Sequence, residues 1–236
     1  MRFKTVFFDS GGTLYSGKSL GSSPGPEAVD AGAAKRLAHA LAGFGRPVEA
    51  TRLAAAVEKQ KPLSREKHGR FYSYAHLIAD TLRGLELNQP PEVTAVLTDI
   101  WLGPRYRDWL YPGTVETMQK LHDAGVYLGI IANTFWPGYT MRRHFDAVGL
   151  APFWSLEVYS CDVGIDKPDP AIFKLAEARS GRRENLLYVG NSIVHDIGGA
   201  HAAGWAAAFR REDGNGCAEA EFQFDQSEDL LKIVLG

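Results

Sequence analysis

Beyond Tyr111-Pro112-Gly113 the chain alternates short apolar runs with amphipathic stretches, and no other feature narrows its possible folds as much. Residues 126–132, 154–160, 185–189 and 205–209 read as strands. Residues 115–125, 139–148, 171–180 and 197–203 read as helices, with apolar positions such as Val115, Met118 and Leu121 recurring at helical spacing. Strand and helix in strict alternation imply a parallel sheet covered on both faces. The first strand lies far upstream, where residues 4–8 run without a break into Asp9. A continuous apolar, β-branched and aromatic run is what a strand buried on both faces requires. Residues 1–15 and 110–236 are therefore predicted to form one α/β core, a Rossmann-like three-layer arrangement around a parallel sheet.

The intervening residues differ in character. Residues 16–26 are rich in Gly, Ser and Pro and read as a flexible linker. The Gly17-Lys18-Ser19 within them lacks the upstream glycine of a P-loop. From residue 27 to about 109 apolar side chains recur three and four apart: Leu37, Leu41 and Phe44; Leu53 and Val57; Leu77, Ile78 and Leu82; Val93, Leu97 and Ile100. Residues 43–47, Pro62 and Pro90-Pro91 divide this stretch into about four helices. Residues 16–109 are thus predicted to be an inserted helical cap domain.

Composition excludes some classes of function. A net charge of −2, with 23% charged and 45% apolar residues, argues against a general binder of nucleic acid or membrane surfaces. The two cysteines, Cys161 and Cys217, lack metal-ligand spacing and fit a reducing compartment. Met1-Arg2-Phe3-Lys4 is too short and charged for a signal peptide, and no apolar run approaches the roughly 18 residues of a membrane span. The expectation is a cytoplasmic protein whose partner is a small anionic molecule; oligomeric state is left open.

In parallel sheets of this kind ligands bind at the carboxyl ends of the strands. Four loops fall there: Asp9-Ser10-Gly11-Gly12-Thr13; Ala132-Asn133-Thr134; Lys167-Pro168-Asp169-Pro170; and Gly190-Asn191-Ser192, continuing through His195-Asp196. In this order and spacing they resemble the haloacid dehalogenase (HAD) superfamily of hydrolases, in the subgroup with a helical cap between the first and second motifs. The resemblance implies a role for each position. Asp9 is the nucleophile, forming an aspartyl-phosphate, and Lys167 neutralises it. Mg²⁺ is held by Asp9, the Gly11 carbonyl and Asp196. Gly12, Thr13, Asn133 and Thr134 surround the phosphoryl group.

Three positions depart from the family pattern: Gly11 stands where a second Asp serves as general acid and base, Ala132 where a hydroxyl contacts the phosphoryl oxygen, and Asn191 where an acid lies near the metal. Thr134 offers a hydroxyl two residues on, and His195 a less favoured substitute base. The primary expectation is a Mg²⁺-dependent phosphatase of a small metabolite with an atypical acid–base position. A dehalogenase- or phosphonatase-like hydrolase and a non-catalytic binding protein are the alternatives. In the cap, the cations and aromatics of residues 59–76 read either as an anion grip or, preferably, as a solvated face over core rings.

Overall fold

A computed structural model describes residues 1–211 and 214–236. The strands are β1 (Thr5–Phe8), β2 (Tyr127–Ala132), β3 (Leu156–Tyr159), β4 (Leu186–Gly190), β5 (Ala206–Arg210) and β6 (Phe222–Phe224). They form one parallel sheet in the order β3-β2-β1-β4-β5-β6. β1 is central, with Phe8 in register with Ile130 on one side and Val189 on the other. Alternation along β1 fills both faces of the sheet. Val6 and Phe8 join a cluster with Leu128, Met118 and Phe145, whereas Phe7 packs with Ile172, Phe173 and Tyr188.

The helices are α1 (Pro26–Ala31), α2 (Ala33–Gly43), α3 (Ala50–His68), α4 (Tyr74–Gly84), α5 (Pro91–Leu102), α6 (Thr114–Asp123), α7 (Gly138–Val148), α8 (Ser160–Val163), α9 (Pro170–Ser180), α10 (Gly199–Ala202) and α11 (Asp229–Leu235). Helices α1–α5 all lie between β1 and β2, and Leu37, Leu41, Leu53, Ile78, Leu82 and Leu97 give α2–α5 an apolar cluster of their own. Five helices occupy this stretch rather than about four, and α3 continues through Pro62 instead of stopping there. The predicted helix at 197–203 begins earlier, as a π-helical turn over Ile193–Gly198 that leads into α10. β6 and α11 had no counterpart in the sequence reading.

Residues 16–26 are not the free linker their composition implies. The segment leaving the core and the segment re-entering it pair with each other. Leu14 C=O accepts the Tyr111 N–H at 3.1 Å, and the Ser16 and Leu20 N–H groups reach Trp109 and Asp108 C=O, each at 2.8 Å. Tyr15 and Leu110 form an antiparallel bridge, and Asp108 also accepts both the N–H and the hydroxyl of Ser23. A short two-stranded ribbon thus joins the helical layer to the core. No helix among the described residues is long and apolar enough to cross a membrane.

Candidate active site

Because β1 lies between β2 and β4, the order of strand addition reverses beside it, which opens a crevice at the carboxyl ends of these strands. Asp9 stands at the end of β1, its N–H bonded to Val189 C=O of β4. Its side chain is 13% exposed, enough for one carboxylate oxygen to meet a ligand. Lys167 is 3% exposed and reaches in from the loop before α9. Its Nζ donates to Asp9 Oδ1 at 2.7 Å, to Asp196 Oδ1 at 2.6 Å and to the Tyr188 hydroxyl at 2.7 Å. Those three bonds use every donor of an ammonium group. Burial alone pushes its pKa down, but the two carboxylates outweigh burial and raise it, so Lys167 remains a cation. Burial likewise pushes the Asp9 carboxyl upward, opposed by the Lys167 charge.

Asp196, expected from the sequence to be a metal ligand, is turned inward in this structure. Besides Lys167, it accepts the N–H groups of Asn191 at 3.0 Å and Ser192 at 2.8 Å on Oδ2, and it is 1% exposed. Both its oxygens are committed to fixing Lys167 and the loop after β4. Gly190 must be glycine for this, since a Cβ there would lie 2.4 Å from Asp196. Asn191, not Asp196, projects beside the nucleophile. The Thr13 hydroxyl lies 3.2 Å from Asn191 Oδ1 and 3.4 Å from Asp9 Oδ2 and donates to one or the other. Gly12 lies beneath Asn191 at φ +77°, and a Cβ would come within 2.2 Å of the amide nitrogen.

The other predicted contacts are distributed differently. The Gly12 N–H donates to Tyr15 C=O at 2.8 Å, so it closes its own turn and is not available to a phosphoryl group. Asn133 clamps the Lys167 backbone, accepting its N–H at 2.8 Å and donating to its C=O at 2.9 Å. These bonds position the lysine. The Thr134 hydroxyl accepts the Trp136 N–H at 2.9 Å, which binds it into its own loop. His195 is exposed and bonds Ser192. Gly11 is exposed at the mouth of the turn; among the described residues a Cβ there would meet the Tyr15 ring, at 3.7 Å.

The helical layer reaches this edge of the sheet. The Tyr74 N–H donates to Phe135 C=O at 2.8 Å. The Arg65 guanidinium lies 5.2 Å from the Phe135 ring and 5.3 Å from the Tyr72 ring. The remaining cations of residues 59–76 are largely committed elsewhere: Lys61 pairs with Glu58, while Lys67 and His68 pair with Asp80. The solvated-face reading therefore describes them better than an anion grip does. Tyr188 is a site residue that the sequence reading missed; its signal is a lone hydroxyl in an otherwise aliphatic strand.

A family model for haloacid dehalogenase-like hydrolases matches residues 3–204, which include every one of these groups. The chain belongs to that family. Among curated HAD relatives it is 30% identical over 134 residues to a glyceraldehyde 3-phosphate phosphatase of Methanopyrus kandleri, covering 52% of this chain and 56% of that one. It is 31% identical over 125 residues to a phosphoserine phosphatase of Thermus thermophilus, covering 52% and 49%. The chain thus spans about half the length of the curated relatives it matches. Among solved HAD structures, a 2-haloacid dehalogenase from Pseudomonas syringae pv. Tomato aligns with a TM-score of 0.64 at 20% identity, over 99% of this chain and 98% of that one. A HAD phosphatase from Thermococcus onnurineus aligns at 0.59 and 23%, with the same coverage. At such identities these two establish a common fold.

Proposed function

We propose that this HAD-like hydrolase attacks a small phosphorylated metabolite with Asp9, with residues 16–109 serving as a cap domain that selects the substrate. The observation that carries this reading is the buried Lys167, held between Asp9 and Asp196 by 2.7 and 2.6 Å bonds. A charge so enclosed is costly unless it has a task or full compensation. Here it holds Asp9 Oδ1 and leaves Oδ2 beside the Thr13 hydroxyl, on the open side of the site. The Asp9 carboxylate attacks phosphorus, the bond to the leaving oxygen breaks, and water then cleaves the aspartyl-phosphate to release phosphate and restore Asp9. Lys167 offsets charge on Asp9 throughout. The phosphatase names of the curated relatives support the same direction.

The donor set suits a loosely held Mg²⁺. Asp9 Oδ2 and Asn191 Oδ1 both face the Thr13 hydroxyl, so two hard oxygens share one side of the nucleophile. Asp9, Asn191 and the Gly11 carbonyl would hold the ion. When bound, it supplies positive charge to the phosphoryl oxygens. Only one of these three ligands is anionic, so its affinity is expected to be low.

Gly11 supplies no proton to the leaving group, which therefore takes its proton from solvent. The rate of phosphate release should then depend steeply on leaving-group pKa, with acyl and aryl phosphates turned over far faster than alkyl phosphates. Asp9→Asn should abolish turnover of all of them. A rate indifferent to leaving group, or an active Asp9→Asn protein, contradicts this mechanism. The missing acid also favours a second reading, displacement at carbon, because a halide leaves without a proton. Halide release from a 2-haloacid in the presence of a chelator decides for it.

A further inference from the structure

Asn133, Thr134, Phe135 and Trp136 follow β2 without belonging to a strand or a helix. Thr134 is pinned at the middle of this loop: its N–H donates to Ser160 Oγ at 3.1 Å, and the Ser160 hydroxyl donates to its C=O at 3.3 Å. The Trp136 C=O accepts the Cys161 thiol at 3.4 Å. These bonds tie the loop to α8. On either side of Thr134 the loop meets different parts of the molecule. Asn133 takes both backbone groups of Lys167. The Phe135 C=O accepts the N–H of Tyr74, the first residue of α4, at 2.8 Å.

The Phe135 side chain points the same way. Its ring is 46% exposed, and among the described residues it belongs to neither apolar cluster of the sheet. Its ring contacts come from the helical layer: Tyr72 meets it edge-on, with centroids 5.2 Å apart, and the Arg65 guanidinium lies 5.2 Å from it. Packing of the core alone does not call for an aromatic ring here. One residue before Tyr72, Phe71 presses on the other segment that leads to Lys167. It lies so close to Gly164, three residues upstream of the lysine, that a Cβ there would be 2.7 Å from its ring. Residues 71–74 of the helical layer thus touch both segments that meet at Lys167.

We propose that Phe135 is a positioning residue: docked against residues 71–74 of the helical layer, it seats the loop through which Asn133 holds Lys167 beside Asp9. The inference rests on the reading of Asp9 and Lys167 as the reacting pair. Phe135 and Asn133 are two residues apart with Thr134 pinned between them, so a shift of one is passed to the other rather than absorbed. Asn133 holds the lysine by its main chain, so such a shift moves the root of the side chain whose Nζ makes the 2.7 Å bond to Asp9. Misplacing a reacting group by about 1 Å can cost roughly 10²-fold in rate. The loss falls on the chemical step, because Lys167 acts on the charge of Asp9 rather than on the body of the substrate.

The test compares Tyr74→Pro, which removes the N–H bonded to Phe135, with Tyr74→Ala, which keeps it and loses the ring. Proline suits the first helical position, and Ser73 before it is already extended at φ −143° and ψ 167°. The first reading needs no turnover. In protein isotope-labelled at lysine, the Lys167 amide, which donates to Asn133, should exchange with solvent deuterium about 3- to 10-fold faster in Tyr74→Pro than in Tyr74→Ala. Should Tyr74→Pro not fold, Phe135→Ala, at an exposed position, replaces it with the wild type as reference. The second reading is turnover of an aryl phosphate in Mg²⁺ buffer. Between the same two variants kcat should fall about 3- to 10-fold with KM unchanged, and in an Asn133→Ala background it should not fall again. Equal exchange of the Lys167 amide in the compared pair, or a kcat loss that persists in full without Asn133, overturns the proposal. If the wild type turns over no aryl phosphate, the phosphatase reading falls, and the exchange comparison alone decides whether Phe135 positions Lys167.

Discussion

Lys167 shows how much of this site depends on one side chain being fully bonded. It bonds one Asp9 oxygen and leaves the other on the Thr13 side, and the two carboxylates keep the lysine charged despite its burial. Asp9 and Lys167 were legible in the sequence because each stands at a strand end or in a proline-bounded loop where packing alone does not call for a charge. The orientation of Asp196 was not. Spacing places its Cα near the site, but whether a carboxylate faces ligand or its own loop depends on which backbone N–H groups the turn after β4 presents. The backbone bonds of Asn133 and Thr134 were not legible for the same reason, since short polar side chains readily satisfy nearby backbone. Gly11 is the residue to change. A Cβ there meets only the Tyr15 ring, at ordinary contact distance, and the backbone is not in the left-handed region. Gly11→Asp should therefore fold normally and raise turnover of alkyl phosphates by about 10²–10⁴, the usual worth of a general acid. Steady-state phosphate release, compared with aryl phosphates that need no acid, checks it.

At the level of elements, α3 and α4 are held together around Asp80. Its carboxylate, 5% exposed, accepts from Ser64 at 2.9 Å, Lys67 at 2.7 Å, His68 at 2.8 Å and Arg83 at 2.6 Å. Burial alone would raise its pKa, but the bonds from Lys67, His68 and Ser64 outweigh it and hold the carboxyl well below the usual range. Asp80 therefore stabilises the fold most above its unfolded value of about 3.9, and this contribution is lost as the pH falls below that value. Asp80→Asn should cost about 1–3 kcal/mol at neutral pH, since the exposed Lys67 and Arg83 resolvate while Ser64 and His68 lose a buried acceptor. In denaturation curves the gap between the two proteins should narrow as the pH is lowered from about 5 towards 2. The same packing explains why the break expected at Pro62 does not occur. Leu53 and Val57 anchor α3 before the proline and Ser64 anchors it after, so tertiary contacts carry the helix across a missing N–H. Pro62 is exposed, and Pro62→Ala should raise stability by about 1–3 kcal/mol in the same assay.

At the scale of the whole molecule, alternation of strand and helix made the parallel sheet legible, and the position of β1 in the chain made the insertion legible. β6 and α11 escaped because a three-residue strand and a seven-residue helix are too short to set up a period of their own. The paired segments at the junction escaped because Gly, Ser and Pro predict a loop, and what orders this loop is a partner about ninety residues away. Two independent tethers would let the helical layer drift in several directions. Two tethers bonded to each other behave as a single strap, which bends and twists but does not shear. Displacement of the helical layer against the sheet should thereby be confined to few directions, with Tyr15 part of the strap itself. The amides of Ser16, Leu20 and Tyr111 should then exchange with solvent deuterium as one cooperative group, slower than those of the Gly/Ser stretch between them and α1, a difference that peptide-resolved exchange can read directly.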